Sequence, residues 1–172
     1  MRRPIRRERM RDMTRSAARE IAVHFTFELG FSDLSADQLL ERDLTPEFFA
    51  LLGEEEPLYA QFPDKIQLEY IQKIVRGVFA HGAELDNDIA KYAKGWRFAR
   101  IDRVAAAIMR VTMFEILYMP DVPNKAAINE AVEIAKKYLD EDTIKFVNGI
   151  LGSFVRTEFP AENWCYRERG GT

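Results

Sequence analysis

A chain of 172 residues, 47% of them hydrophobic, is long enough for one domain with a full core, and its formal charge of -3 points by itself to no acidic partner. A single cysteine, Cys165, excludes an internal disulfide and fits a reducing cytosol, so a cytoplasmic location is expected. No apolar run approaches the ~20 residues of a membrane span, and no apolar segment follows the N-terminal positive charge, as a secretory signal would require.

The charge is unevenly placed. Residues 1–19 hold eight arginines against Glu8 and Asp12, a net of +6, which leaves -9 for the remainder of a chain whose total is -3. Residues 1–12 read as a flexible arginine-rich arm of the kind that binds nucleic acid. Periodicity then turns helical. Ala18, Ile21, Ala22, Phe25 and Leu29 predict a helix over 14–29, stopped by Gly30. Ser35-x-x-Gln38 resembles a capping box, and Thr45-Pro46 reads as the cap and first residue of another short helix ending near Gly53. After an acidic loop over 54–63, Ile71, Ile74, Val75 and Val78 mark a long helix over 65–81. Leu85, Ile89 and Tyr92 mark the next, stopped at Gly95.

From Ile101 to Tyr118 the chain is apolar on most sides, which suits a helix at the centre of a bundle. Pro120 and Pro123 force a turn. Ile128, Ala131, Val132, Ala135 and Tyr138 form the penultimate helix, and Asp142 or Thr143 is expected to cap the last, which runs to about Phe159. Residues 160–172 lack periodicity and read as a disordered tail. No strand, internal repeat or second domain is visible, so 13–159 is expected to be a single all-α domain.

Catalytic constellations are missing from this pattern. The two histidines, His24 and His81, have no zinc-ligand spacing around them, and His24 reads as a helix-flank residue. Cys165 has no nearby base. Neither a phosphate loop, a dinucleotide fingerprint nor a nucleophile elbow occurs, and Asp86 and Asp88 open a calcium-loop pattern that nothing completes. The expectation is a non-enzymatic protein with no cofactor and no metal.

Specific motifs lie in the C-terminal half: Arg110, Phe114-Glu115-Ile116-Leu117, Asp121-Val122-Pro123, Ile128-Asn129-Glu130-Ala131, Ala135-Lys136 and Lys145-Phe146-Val147-Asn148-Gly149. Together with Ala18-Arg19-Glu20-Ile21-Ala22 near the start, they resemble the NusB family of transcription antitermination factors. The resemblance covers about 14–30 and 65–158 and weakens over 31–64. It implies about seven helices in two packed subdomains. It also implies a factor that binds single-stranded boxA RNA of ribosomal RNA leader transcripts together with the ribosomal protein NusE, and that joins the antitermination complex on RNA polymerase. The family's RNA surface carries over to Arg6, Arg7, Arg9, Arg15 and Arg19 in the N-terminal region and to Asp142, Lys145 and Phe146 near the start of the last helix.

The residues themselves agree with such a surface. An arginine arm supplies phosphate contacts, and unstacked bases need aromatic faces. Phe146 lies beside the stripe Val147–Ile150–Leu151–Phe154, next to Lys145, at a helix start whose backbone N–H groups could also receive phosphate. Asn148-Gly149 is a hairpin signal inside a helical pattern. The expectation is that Gly149 marks a close approach of a neighbouring helix, with Asn148 bonding across it. Leu85, Tyr92 and Trp96 are candidates for a protein-facing surface. Two rival readings remain: a helical adaptor that binds proteins only, and the binding module of a ribosomal RNA cytosine methyltransferase.

Overall fold

The computed structural model describes residues 12–160, and among them all regular structure is helical. Eight α-helices follow one another: α1 (Arg15–Leu29), α2 (Ala36–Asp43), α3 (Pro46–Leu52), α4 (Lys65–Ala80), α5 (Gly82–Tyr92), α6 (Arg103–Tyr118), α7 (Asn124–Tyr138) and α8 (Glu141–Glu158). Single 3-10 turns lie at Pro57–Tyr59 and Phe98–Arg100. The arm, with Arg6, Arg7 and Arg9, and the tail beyond Pro160 lie outside the described residues.

Local chemistry accounts for the helix starts. Thr14, Thr45, Asp64 and Asp102 each accept a backbone N–H in the first turn of the helix that follows. At α2 both arms of the capping box are made: Ser35 accepts from the Gln38 N–H, and the Gln38 side chain accepts from the Ser35 N–H. The cap of α8 is Asp140, which accepts the Thr143 N–H at 2.8 Å, rather than the expected Asp142 or Thr143. The extra carboxylates of Glu141 and Asp142 in the first turn hid the true cap from sequence reading.

α6 is the axis of the molecule. It is buried from Ala105 to Met109 and from Val111 to Ile116, as its nearly all-round apolar sequence predicted. It packs against α1 and α4 on one side and α5, α7 and α8 on the other. The two halves therefore share a helix and one continuous apolar cluster. Segment 31–64 is tied down by Leu39, Phe49 and Tyr59, all buried, and by Asp37, which accepts from Arg76 of α4 at 2.6 Å.

Tyr59 also closes a polar chain through α1. Tyr138 donates to Glu20 at 2.6 Å, so its oxygen accepts from His24 Nε2–H at 2.7 Å, and His24 Nδ1 accepts from the Tyr59 hydroxyl at 2.9 Å. Lys137 takes the second Glu20 oxygen at 2.7 Å. Burial lowers the His24 pKa, with Lys137 adding to the effect and the carboxylates of Glu20 and Glu56 opposing it. His24 is thus an interior connector of α1, α7 and the 31–64 segment.

The close helix contact expected at Gly149 is elsewhere. A Cβ at Gly149 would meet nothing within 4 Å, and Asn148 beside it is exposed. At Gly77 of α4 a Cβ would fall 2.1 Å from the ring of Phe114, so α4 and α6 approach where the glycine admits an aromatic ring. Nothing in the structure explains the Asn-Gly pair of α8.

Candidate RNA interface

In this acidic body many cations are neutralised by a neighbour. Arg42 pairs with Asp43, Arg76 with Asp37, Lys91 with Glu158, Arg110 with Asp86 and Lys137 with Glu20. A cation already held by a carboxylate offers little to a phosphate, so the useful cations are those left over.

Arg19 is not left over. Its guanidinium donates to both oxygens of Glu115 at 2.6 and 2.9 Å, and a third nitrogen lies 3.4 Å from Glu130. Arg19 is 5% exposed and Glu115 0%. Its pKa is raised by the Glu115 hydrogen bond and charge, which outweigh the opposing cost of burial. The expectation that Arg19 faces RNA is therefore corrected: it is an interior pair joining α1 to α6. Arg15, one turn earlier, lies over the ring of Tyr70 at 3.9 Å from its centroid, a cation–π contact that fixes the residue from which the arm departs.

At the other expected patch, Asp142 and Lys145 are exposed and Phe146 is half-buried on the core cluster. The helix start is a poor phosphate receiver. Asp140 already occupies the Thr143 N–H, hydrogen bonding to Thr143 lowers the Asp140 pKa, and Glu141 and Asp142 add negative charge beside it. A phosphate at this end of α8 would have to meet side-chain cations instead.

Those cations come from a loop that sequence reading passed over. Between α5 and α6 runs Lys94-Gly95-Trp96-Arg97-Phe98-Ala99-Arg100. Gly95 sits at φ 82°, and that left-handed turn swings Trp96 outward to 58% exposure. The indole rests against Phe146, with ring centroids 5.6 Å apart and planes inclined at 59°. A hollow of about 180 Å³ lies at this junction, lined by Trp96, Arg100, Ile101, Asp102, Asp142, Thr143 and Phe146. Among the described residues none of Lys94, Arg97, Arg100 and Lys145 makes an ion pair. Three cations interleaved with two aromatics in seven residues was the available signal. It was hidden because the loop has no helical period.

Of the protein-facing candidates, Leu85 is fully buried and Tyr92 is hydrogen-bonded to Glu158 of α8, so Trp96 alone is a surface residue. No contact among the described residues joins Arg15 to the Trp96–Phe146 junction.

The model of the NusB family matches residues 16–156. The chain belongs to the NusB family. A NusB transcription antitermination protein from Symbiobacterium thermophilum is 39% identical, covering 84% of this chain and 90% of the relative. One from Acetivibrio thermocellus is 36% identical, covering 85% and 91%. Transcription antitermination is the role that NusB membership assigns. Among solved structures, T. maritima NusB superposes with a TM-score of 0.65 at 27% identity, covering 85% of this chain and 93% of that one. A chain in a crystal structure of a plectonemic RNA supercoil reaches 0.68 at 25% identity, covering 84% and 95%. The NusB fold has a helical bundle like this one as its solved example, and no helix among the described residues is long and apolar enough to cross a membrane.

Proposed function

We propose that this NusB-family protein works in the cytoplasm without catalysis, binding the boxA element of ribosomal RNA leader transcripts together with the ribosomal protein NusE, and that the pair joins the antitermination complex on RNA polymerase. The observation that carries the reading is the set of four cations without ion pairs clustered around the exposed Trp96–Phe146 junction. Lys145 and the loop arginines take phosphates there, and Phe146 and Asp142 face the hollow beside them. Arg6, Arg7, Arg9 and Arg15 form a second phosphate-binding region at the N-terminus, with Arg15 fixed by Tyr70. The occurrence of a similar chain in an RNA crystal structure supports the same ligand class.

A titration of labelled boxA-type RNA with the full chain, across a series of salt concentrations and with and without NusE, tests this. Expected are a steep salt dependence and tighter RNA binding in the presence of NusE. Thermodynamic reciprocity requires RNA to tighten the protein–protein contact by the same factor. A salt-independent or undetectable RNA signal, with NusE still bound, would assign the chain to the protein-only adaptor class.

A further inference from the structure

Resting on that reading, we propose that Trp96 is the base platform of the surface: the free face of its indole takes one unpaired nucleobase of single-stranded RNA. Phe146 holds the indole from behind, and Arg97 and Arg100 hold the phosphates that flank the base.

Four observations converge on this loop. First, Trp96 leaves more than half of a large aromatic side chain in water, on a loop and not on a helix face that packing could have covered. Of the other exposed aromatics, Phe31 lies under Arg103, Tyr118 stacks on His81, Tyr138 is hydrogen-bonded to Glu20 and His24, and Phe79 stands on the face of α4. Second, the Trp96–Phe146 pair cannot sandwich a base. Intercalation needs parallel rings about 7 Å apart, twice the ~3.4 Å stacking distance. Centroids at 5.6 Å with planes inclined at 59° leave no parallel slot between the rings, so a base must stack on indole surface turned away from Phe146. Phe146 is then a buttress, and its half-burial on the core makes it a rigid one.

Third, the loop backbone is set. The Trp96 N–H bonds the Ala93 carbonyl at 3.0 Å across the Gly95 turn, and the Arg100 N–H bonds the Arg97 carbonyl at 2.9 Å across the 3-10 turn. Arg97 and Arg100 line one hollow with Gly95 and Trp96, which brings both arginines to the indole. Fourth, the charges sort themselves. Asp102 is engaged with the Val104 and Ala105 N–H groups as the cap of α6. Asp102 and Asp142 line the hollow that Trp96 shares with Phe146, while the hollow that Trp96 shares with Arg97 and Arg100 has no carboxylate, so phosphates are favoured in the second. A π-face flanked by phosphate-binding cations is the chemistry of single-strand binding, and it is tolerant of base identity because every base can stack.

The test uses the full chain, boxA-type RNA and a set of RNAs each carrying one abasic position. Trp96→Ala should weaken intact RNA by about tenfold or more, while Trp96→Phe keeps most of the affinity. The salt slope should not change, since an indole binds no phosphate. For one abasic RNA, wild type and Trp96→Ala should bind equally well, and any natural base restored at that position should restore the difference. In a Trp164→Phe background, RNA should quench the emission of the remaining Trp96. Circular dichroism guards against misfolding. Undiminished RNA affinity in Trp96→Ala overturns the platform while leaving RNA binding by the protein intact. Loss of NusE binding alone would assign the loop to the protein partner and also overturn it. A wild-type chain that does not bind RNA would overturn the wider reading and this one with it.

Discussion

Arg19 and Glu115 form a two-point ion pair between α1 and α6, at 2.6 and 2.9 Å, in a place where neither side chain reaches water. Removing one partner of such a pair strands the other charge in the interior, at a cost of about 3–5 kcal/mol. Arg19→Ala and Glu115→Ala should each lower stability by that order in urea unfolding. The double variant should lose much less than their sum. RNA affinity per folded molecule should stay unchanged in Arg19→Ala, which would separate this arginine from those of the arm.

Two glycines should respond in opposite directions. Gly77→Ala drives a methyl into the Phe114 ring, and overpacking of this kind costs about 1–3 kcal/mol. Gly149→Ala meets open space on an exposed helix face and should stabilise by about 0.5–1 kcal/mol. Thermal melts of the two variants give both signs.

His24 makes stability depend on pH. Its folded-state pKa lies below the ordinary 6.5, chiefly through burial, so the unfolded chain binds a proton first as pH falls. The stabilisation is complete above pH 6.5 and is lost as the pH drops toward the folded-state value. His24→Gln should remove this part of the slope between about pH 7.5 and 5, leaving the part due to carboxylates. Urea midpoints of both proteins across that range are the measurement.

The cations around the Trp96–Phe146 junction should each register in the salt dependence. For single-stranded RNA, one lost phosphate contact lowers the slope of log K against log salt by about 0.7. Arg97→Ala, Arg100→Ala and Lys145→Ala should do so singly, and a variant that weakens RNA without changing the slope is acting by another route.

Phe146 should behave as a support. Because it is half-buried, Phe146→Ala should cost less than the ~3–5 kcal/mol of a fully buried phenylalanine. Its effect on RNA should pass through Trp96. The double variant with Trp96→Ala should therefore bind RNA little worse than Trp96→Ala alone.

The bundle was readable because helical burial leaves a period: the stripes of α1, α4 and α8, the capping box at Ser35 and the apolar girth of α6 all appear where the residues predicted them. Family motifs carried the antitermination role. What escaped was anything set by non-local contact. Arg19 looks like one more arginine of the arm until α6 brings Glu115 to it. Gly77 sits unremarked in a stripe while Gly149 draws the eye. The Lys94–Arg100 loop shows its chemistry only when folding leaves its cations without carboxylates. The eight helices are those that the stripes and caps mark out, α2 and α3 included, close to the count of about seven that the resemblance implies.

The place of α6 also bears on the order of synthesis. Arg19 and Glu115 are 96 positions apart, and the helices of the first half have α6 as their inner wall. While a ribosome is still making the first hundred residues, α1 and α4 can close only against each other and α2, and a buried arginine has no counter-charge. The interior of the first half is therefore completed only once the stretch to Tyr118 has emerged. The burden of keeping the earlier apolar faces from associating falls on whatever meets them at the exit tunnel.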